Sequence, residues 1–474
     1  MSAVTSQELA AGQDIETPKE SEPAPINPRT RMLLEAPILP MLIKLAWPNI
    51  LIMLAQASTG LIETWWVSHM GTAALAGMAL VFPAVMLMQM MSAGGFGGAI
   101  SSSIARALGS GRRADADLIA WHAVVVNIAI GLLFSVILLA FGRPIYQALG
   151  GQGEELEAAL TYSNVVFGGM VFVWLMNGLA SVVRGTGNML FPAAVTCVGA
   201  FLLVPISPLL IFGFGPIPAM GIAGGGLALV LYSVGGTAVL GWYILSGRNL
   251  ARFGIGPIRW SIFGDIFKMG AAAAINSVLT NVTIGVATAL VATEAGVEAV
   301  AGFGTGARLE YLLIPVIFGI GAPMVALVGT NMGAGKKDRA LRIAFTGAAI
   351  AFVITETIGL IAAIFPAGWI SLFSEEHGAI DAGVAYLQIV GPVYGFFGAG
   401  LALYFASQGA GQLLWPLLCG FVRLAIAAAG GWLALRLTGS LNGLFFALAA
   451  GLVVYGSLQL IGIRAGVWFR GKSA

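Results

Sequence analysis

Residues 104–113 read IARALGSGRR, and 224 residues further on residues 328–337 read VGTNMGAGKK. Superposing the two puts Gly109 on Gly333, Gly111 on Gly335, and the basic pair Arg112 and Arg113 on Lys336 and Lys337. Working outward at the same offset, Tyr162 falls on Tyr386, Gly185 on Gly409, Gly187 on Gly411 and Pro192 on Pro416. At an offset of 225, Gly71, Ala76 and Gly77 fall on Gly296, Ala301 and Gly302. Glycine makes up 66 of the 474 residues, so a glycine match alone carries little. A tyrosine, a proline and a basic pair at one shared offset indicate a chain duplicated in its two halves.

Composition names the solvent. Hydrophobic residues are 58% of the chain and Asp, Glu, Lys and Arg only 9%, with a mean hydropathy of +0.92; a soluble domain carries about 25% charged residues. The polar surface is too small to coat a water-soluble fold, so the chain reads as a polytopic membrane protein, which excludes a disordered, secreted or ordinary cytosolic one. The net charge of +2 points to no nucleic-acid partner. Cys197 and Cys419 have no CxxC spacing and read as packed thiols, and His69, His122 and His377 are too scattered for a metal centre. Neither a metal nor an organic cofactor is expected.

Residues 1–36 are rich in Glu, Pro, Ser and Thr, lack an apolar stretch of signal-peptide length, and are expected to form a disordered cytoplasmic arm. Twelve apolar segments follow, near 40–66, 74–105, 118–142, 158–182, 190–213, 220–246, 269–292, 298–330, 342–365, 380–405, 413–435 and 441–463. Each is long enough for a hydrocarbon core of about 30 Å. The second and eighth, punctuated by Gly94 to Gly98 and by Pro315, Gly319 and Gly321, are expected to be long and bent. With the amino terminus inside, 19 of the 23 basic residues fall in the arm, the tail or inside loops, and only Arg143 and Arg436 fall outside. Both termini are therefore expected in the cytoplasm of a multi-pass plasma (inner) membrane protein.

The expected fold is all-α, with twelve transmembrane helices in two parallel six-helix repeats around a central cleft. The N-lobe covers 37–246, a flexible cytoplasmic linker 247–268, the C-lobe 269–465 and a cytoplasmic tail 466–474. Six spans per half is an even number, so both halves enter from the same side, and two similar bundles about a cleft suit alternating access. The glycine runs Gly94 to Gly98 and Gly221 to Gly226 follow no strand and lack a Walker Lys-Ser/Thr, so they read as sites of helix packing. With no ATP-binding motif, transport is expected to draw on an ion gradient.

Particular residues resemble those of the multidrug and toxic compound extrusion (MATE) family: Leu45-Ala46-Trp47-Pro48 with an acid fifteen residues on, Gly71-Thr72-Ala73-Ala74-Leu75-Ala76-Gly77, Arg184-Gly185-Thr186-Gly187-Asn188 with Pro192, Ala307-Arg308-Leu309-Glu310, and Val328 to Lys337. The resemblance runs from about residue 38 to 465 and implies a secondary antiporter, not an enzyme. Such a protein exports amphipathic, often cationic, organic compounds in exchange for H⁺ or Na⁺. Its expected partners are a small organic substrate, the coupling cation and membrane lipid, with the protein working as a monomer.

Glu63, late in the first span, matches the family's first-helix carboxylate, which is normally Asp, and the resemblance implies a coupling-ion site there. A charge at the bilayer centre costs about 2.5–3.5 kcal/mol, so a carboxyl at that depth is usually functional; the alternative is hydration near the interface marked by Trp65 and Trp66. Leu203 and Ser207 stand where the family's sodium-type site has Asn and Asp, and Asn177 offers one further oxygen or a helix-packing hydrogen bond. The seventh and tenth spans hold no acid in 269–291 or 388–405, so H⁺ is favoured over Na⁺. Glu310, Arg308, Gln89, Met86, Met90 and Glu356 are candidates for the substrate cleft. Arg308 and Glu310, two apart on a helix, need partners other than each other, and Glu356 and Arg423 are candidates to pair. Methionines suit a surface that accepts varied substrates, and equally suit ordinary packing. A lipid-linked oligosaccharide flippase of the same superfamily is the nearest alternative, and an intramembrane enzyme, which needs a nucleophile or metal constellation not seen here, a remote one.

Overall fold

A backbone placed in lipid must satisfy its own hydrogen bonds, which leaves helices as the economical choice for such apolar segments. The computed structural model describes residues 27–469, and among them no strand occurs beyond an isolated Phe214–Ile217 bridge. Helix α1 is Pro28–Glu35. The spans then follow in order: α2 Ile38–Ser68, α3 Thr72–Gly109, α4 Arg113–Ala148, α5 from Gly153–Gly168 and Met170–Gly185 with a bend of 47°, α6 Leu190–Phe212 and α7 Ile222–Leu245. After the linker come α8 (260–295) and α9 (297–333), then α10 Lys337–Ile364, α11 His377–Ala410, α12 Leu414–Thr438 and α13 Leu441–Arg464.

Helices α8 and α9 are two helices that adjoin directly at Gly296 and together take up 74 residues. At 1.5 Å per residue that is about 110 Å, far beyond one bilayer crossing. Gly296, at φ 76° and ψ −168°, turns the chain between them, a conformation open to glycine at little cost. The spans α2–α7 and α8–α13 are thus the twelve expected. The expected bend of the second span is a π-helical stretch at Met90–Phe96. In the eighth the helix continues through Pro315 and Pro323, and the break lies before it, at Gly296.

Two expectations about the loops are corrected. The last part of the arm is not disordered: Pro28 starts α1, Asn27 Oδ1 accepts from the Arg29 amide at 2.9 Å, and Leu33 and Leu34 are buried. The carbonyls at the end of α1 receive Asn331 Nδ2 at Leu33, Lys336 Nζ at Leu34 and the Arg339 guanidinium at Ala36. Residues 1–26 of the arm and 470–474 of the tail lie outside the described residues. Nor is the linker free. The Arg252 amide donates to Asp117 Oδ1 at 2.6 Å, the Gly254 amide to the Asp117 carbonyl at 3.1 Å and the Arg259 amide to His122 Nε2 at 2.8 Å. These bonds lay the linker along the start of α4, and the helix of the C-lobe already begins at Trp260.

Both described ends of the chain sit at one end of the bundle, beside the basic loops: α1 docks on 331–339, Lys337 lies over the Phe469 ring at 5.0 Å, and Trp468 Nε1 donates to Ser407 Oγ at 3.0 Å. At this basic end the lobes meet. Ser102 Oγ on α3 donates to the carbonyls of Gln408 and Gly409 on α11, the latter at 3.0 Å, and Gln408 Nε2 returns to the Gly94 carbonyl at 3.1 Å. The quoted glycine repeat makes a close backbone crossing between the lobes. A Cβ on Gly109 would overlap the Thr330 carbonyl, and one on Gly333 would overlap the Arg106 carbonyl. Arg106 and Thr330 are themselves related by the 224-residue offset, so the crossing is a symmetric pair of backbone contacts on the repeat axis.

Candidate functional site

Glu63 sits deep in the N-lobe. Its position is fixed by α2, α5, α6 and α7: Tyr162 Oη on α5 donates to Glu63 Oε1 at 3.1 Å, and Gly225 on α7 leaves that oxygen room, since a Cβ there would lie 3.4 Å from it. Ile211 on α6 flanks the same face of Gly225, and Ser207, one turn earlier, is buried with its hydroxyl unpartnered. The carboxyl is 8% exposed, whereas Trp65 nearby is 54% exposed. The acid is thus covered by the lobe's own helices, while its neighbour Trp65 faces out of the bundle. Among the described residues no Lys or Arg pairs with Glu63.

Asn177 is placed elsewhere. Its Nδ2 donates to Gln89 Oε1 at 3.1 Å and Ser92 Oγ at 2.8 Å, tying α5 to the π stretch of α3. Tyr162 and Asn177 are fifteen residues apart on α5, about 20 Å at a helical rise, so the amide belongs to a different group from the carboxyl. Gln89, read as a cleft residue, is Asn177's partner. Met86 is exposed and Met90 half-buried on either side of it.

The C-lobe holds the other buried acid. Glu310 on α9 is 5% exposed and pairs through Oε1 with the Arg423 guanidinium of α12 at 2.5 Å. Tyr386 Oη on α11 donates to Glu310 Oε2 at 3.4 Å and receives the Tyr394 hydroxyl at 3.4 Å. Arg423 also lies over Phe397 at 5.1 Å and Tyr455 at 5.8 Å. Phe303, Thr283 and Ala287 close a cavity against this pair, with room for about one water. Glu356 does not pair with Arg423, because its carboxylate is taken by the Gly395 amide at 2.7 Å and the arginine by Glu310. Arg308 is exposed and lies over the Phe373 ring at 5.6 Å, away from Glu310.

Tyr162 and Tyr386, one of the matched pairs of the repeat, each hold a buried carboxyl. Sequence reasoning used the tyrosines only to establish duplication; their being a rare non-glycine match was the signal available. The acids themselves are unrelated by the repeat. Glu63 falls on Ala287 or Thr288 and Glu310 on Met86 or Val85 at the two offsets. Among the described residues no group of three or more His, Cys, Asp or Glu side chains is gathered as a metal site.

The comparisons with known proteins agree with this duplicated architecture. A family model described as MatE matches twice, over residues 48–209 and 271–433, once in each lobe. The "FAD transporter" of Shewanella oneidensis is 26% identical over 383 residues, covering 79% of this chain and 82% of that protein. The "Probable multidrug resistance protein NorM" of Thermotoga maritima is 26% identical over 433 residues, covering 90% of this chain and 92% of that one. Among solved structures, one titled "Crystal structure of MATE in the bent conformation" superposes with a TM-score of 0.85 at 21% identity, over 93% of this chain and 97% of its own. A family match over most of both lobes, on twelve helices paired across a repeat axis, places this chain in the MATE family of multi-pass membrane transporters.

Proposed function

We propose that this protein is a proton-coupled antiporter that exports amphipathic organic compounds from the cytoplasm by alternating access, working as a monomer in the plasma (inner) membrane. The observation that carries the reading is Glu63: a carboxyl buried in the N-lobe, held by one tyrosine hydroxyl and neutralised by no cation among the described residues. Protonation there changes the charge of the lobe's interior, and an ion can couple to transport only if it distinguishes the two states of the machine. Of the other two candidate ligands Asn177 is bonded to Gln89 and Ser92 instead, and the one side-chain hydrogen bond to the acid comes from Tyr162, a partner set that suits H⁺ better than Na⁺.

The basic end faces the cytoplasm by the positive-inside rule. The lobes are sealed there by α3 against α9 and α11, so in this state cargo can leave only toward the opposite face. In the transport cycle substrate leaves from this state, Glu63 takes up a proton from outside, and reopening at the basic end delivers it to the cytoplasm. The family resemblance favours organic cations. Glu310 does not supply the second carboxylate such cargo would use, since Arg423 already occupies it. A relative named as an FAD transporter supports organic anions as another class of cargo. The test is dye transport in sodium-free proteoliposomes under an imposed proton gradient. Transport there is the expected result; no transport until sodium is added would overturn the proton reading.

A further inference from the structure

Arg184 closes α5 at the floor of the cleft and is 6% exposed. Its guanidinium donates to Ser181 Oγ, on its own helix, at 2.8 Å. None of the ion pairs among the described residues includes it. Arginine stays charged at any pH a protein tolerates, so this is a fixed, buried positive charge for which the fold supplies no counter-charge. The nearby Arg106 differs, being spent on the seal through Ser102, Ser103 and the Gly409 carbonyl.

Arg184 lines a cavity whose walls come from both lobes: Gly97 and Ser101 of α3, Ser181 of α5, Phe318 of α9 and Gln408 of α11. Ser101 Oγ is buried there without a partner, and so is Gln408 Oε1, which offers an acceptor for a ligand hydroxyl. No carboxylate lines the cavity. The three acids of the transmembrane interior are occupied inside the lobes, Glu63 with Tyr162, Glu310 with Arg423 and Glu356 with the Gly395 amide. The guanidinium and the unpartnered Ser101 hydroxyl are a donor set for phosphate or carboxylate oxygens, while the Ser181 hydroxyl, which donates to the Asn177 carbonyl at 2.8 Å, holds the guanidinium in place. With the lobes closed at the basic end the cavity has room for about one water. Because its walls belong to different lobes, parting them enlarges it and closing them empties it.

We propose that the floor of the cleft is an anion subsite, in which Arg184, held by Ser181, binds together with the Ser101 hydroxyl the phosphate or carboxylate group of an organic anion when the lobes part at the basic end. The proposal rests on the transport reading above and names its substrate class: amphipathic organic anions in preference to cations of similar frame. Lobe closure removes the space around the guanidinium and releases the cargo, so the same crossing that seals the cleft lowers its affinity. The occupant is a soluble organic anion, and an anionic lipid headgroup is the competing source of the same chemistry.

A pair of xanthene dyes tests this, carboxyfluorescein as anion and rhodamine 6G as cation, in proteoliposomes of phosphatidylcholine alone and with phosphatidylglycerol added. The wild type should move carboxyfluorescein in both membranes, and Arg184→Gln should lower its transport at sub-saturating dye at least tenfold, with Arg184→Lys retaining most of it. Rhodamine 6G should not be slowed by Arg184→Gln. Binding of carboxyfluorescein to the solubilised protein, followed by anisotropy, separates the two layers of the argument. Arg184-dependent binding without gradient-driven transport of either dye sinks the antiporter reading and keeps the subsite. Transport of rhodamine 6G with no binding of carboxyfluorescein overturns the subsite and keeps the antiporter. Loss of dye binding on adding phosphatidylglycerol, with no transport of the anion, assigns the site to lipid and also overturns the proposal. Monodisperse elution of each variant secures that the protein is folded.

Discussion

The two lobes contain the same tyrosine and opposite electrostatics. In the N-lobe Tyr162 meets a carboxyl that stands alone; in the C-lobe Tyr386 meets one already paired with Arg423. The acids come from different spans, α2 and α9, so duplication preserved the donor and the carboxyls arose at unrelated positions. Gly199 matches Arg423 in the repeat, which leaves the N-lobe no equivalent cation. Adding a proton to Glu63 strands nothing, whereas removing either member of the C-lobe pair strands a buried charge. In the proposed cycle the N-lobe is the one that changes charge, and the C-lobe holds one arrangement.

The largest effect follows from that stranding. Arg423→Leu should destabilise the protein by about 3–5 kcal/mol, seen as a lower Tm in detergent, and the double variant Glu310→Leu with Arg423→Leu should recover most of the loss. Glu63→Gln, which keeps an acceptor for Tyr162, should cost less than about 1 kcal/mol in the same assay. A loss in Glu63→Gln as large as in Arg423→Leu would erase the contrast between the lobes.

The glycine crossing supplies a control in which the lobes should behave alike. Gly109→Val and Gly333→Val each push a side chain into a carbonyl across the repeat axis, with a cost of about 1–3 kcal/mol against the sealed state. Both should raise labelling of Ser102→Cys by an impermeant thiol reagent applied at the basic end, in a background with Cys197 and Cys419 replaced by serine. Equal effects fit a symmetric seal; labelling in only one variant would mean that the crossing is not shared.

The smallest effect separates the two tyrosines. Tyr162→Phe removes one hydrogen bond, worth about 0.5–1.5 kcal/mol, and should slow proton-driven transport several-fold. Tyr386→Phe should leave transport within about twofold and act on Tm instead. If Tyr386→Phe slows transport more, the coupling site lies in the C-lobe.

Much of this architecture was legible in the chain because lipid enforces it. Spans of fixed length, the 224-residue repeat and the clustering of basic residues at one end follow from one-dimensional patterns. What escaped was contact between distant positions. The Arg423–Glu310 pair spans 113 residues and no periodicity announces it. Tyr162 looked like a repeat marker, and only the packing of α5 on α2 makes it the partner of Glu63. Asn177 and Gln89 were assigned to different roles, yet the π stretch of α3 joins them. Residues 27–36 and the linker differ from expectation for another reason: their polar composition suggests freedom, while bonds to Asp117 and His122 hold the linker and bonds from the end of α9 and the loop after it hold the backbone of 33–36.

The central claim is that the unpaired carboxyl of the N-lobe couples transport. Wild type, Glu63→Gln and Glu310→Gln, reconstituted in sodium-free proteoliposomes under one proton gradient, test it directly through accumulation of a transported dye against its own gradient. Uphill transport should vanish in Glu63→Gln, with downhill exchange remaining, and should persist in Glu310→Gln in proportion to the folded protein recovered. Uphill transport by Glu63→Gln at the wild-type rate would contradict the account.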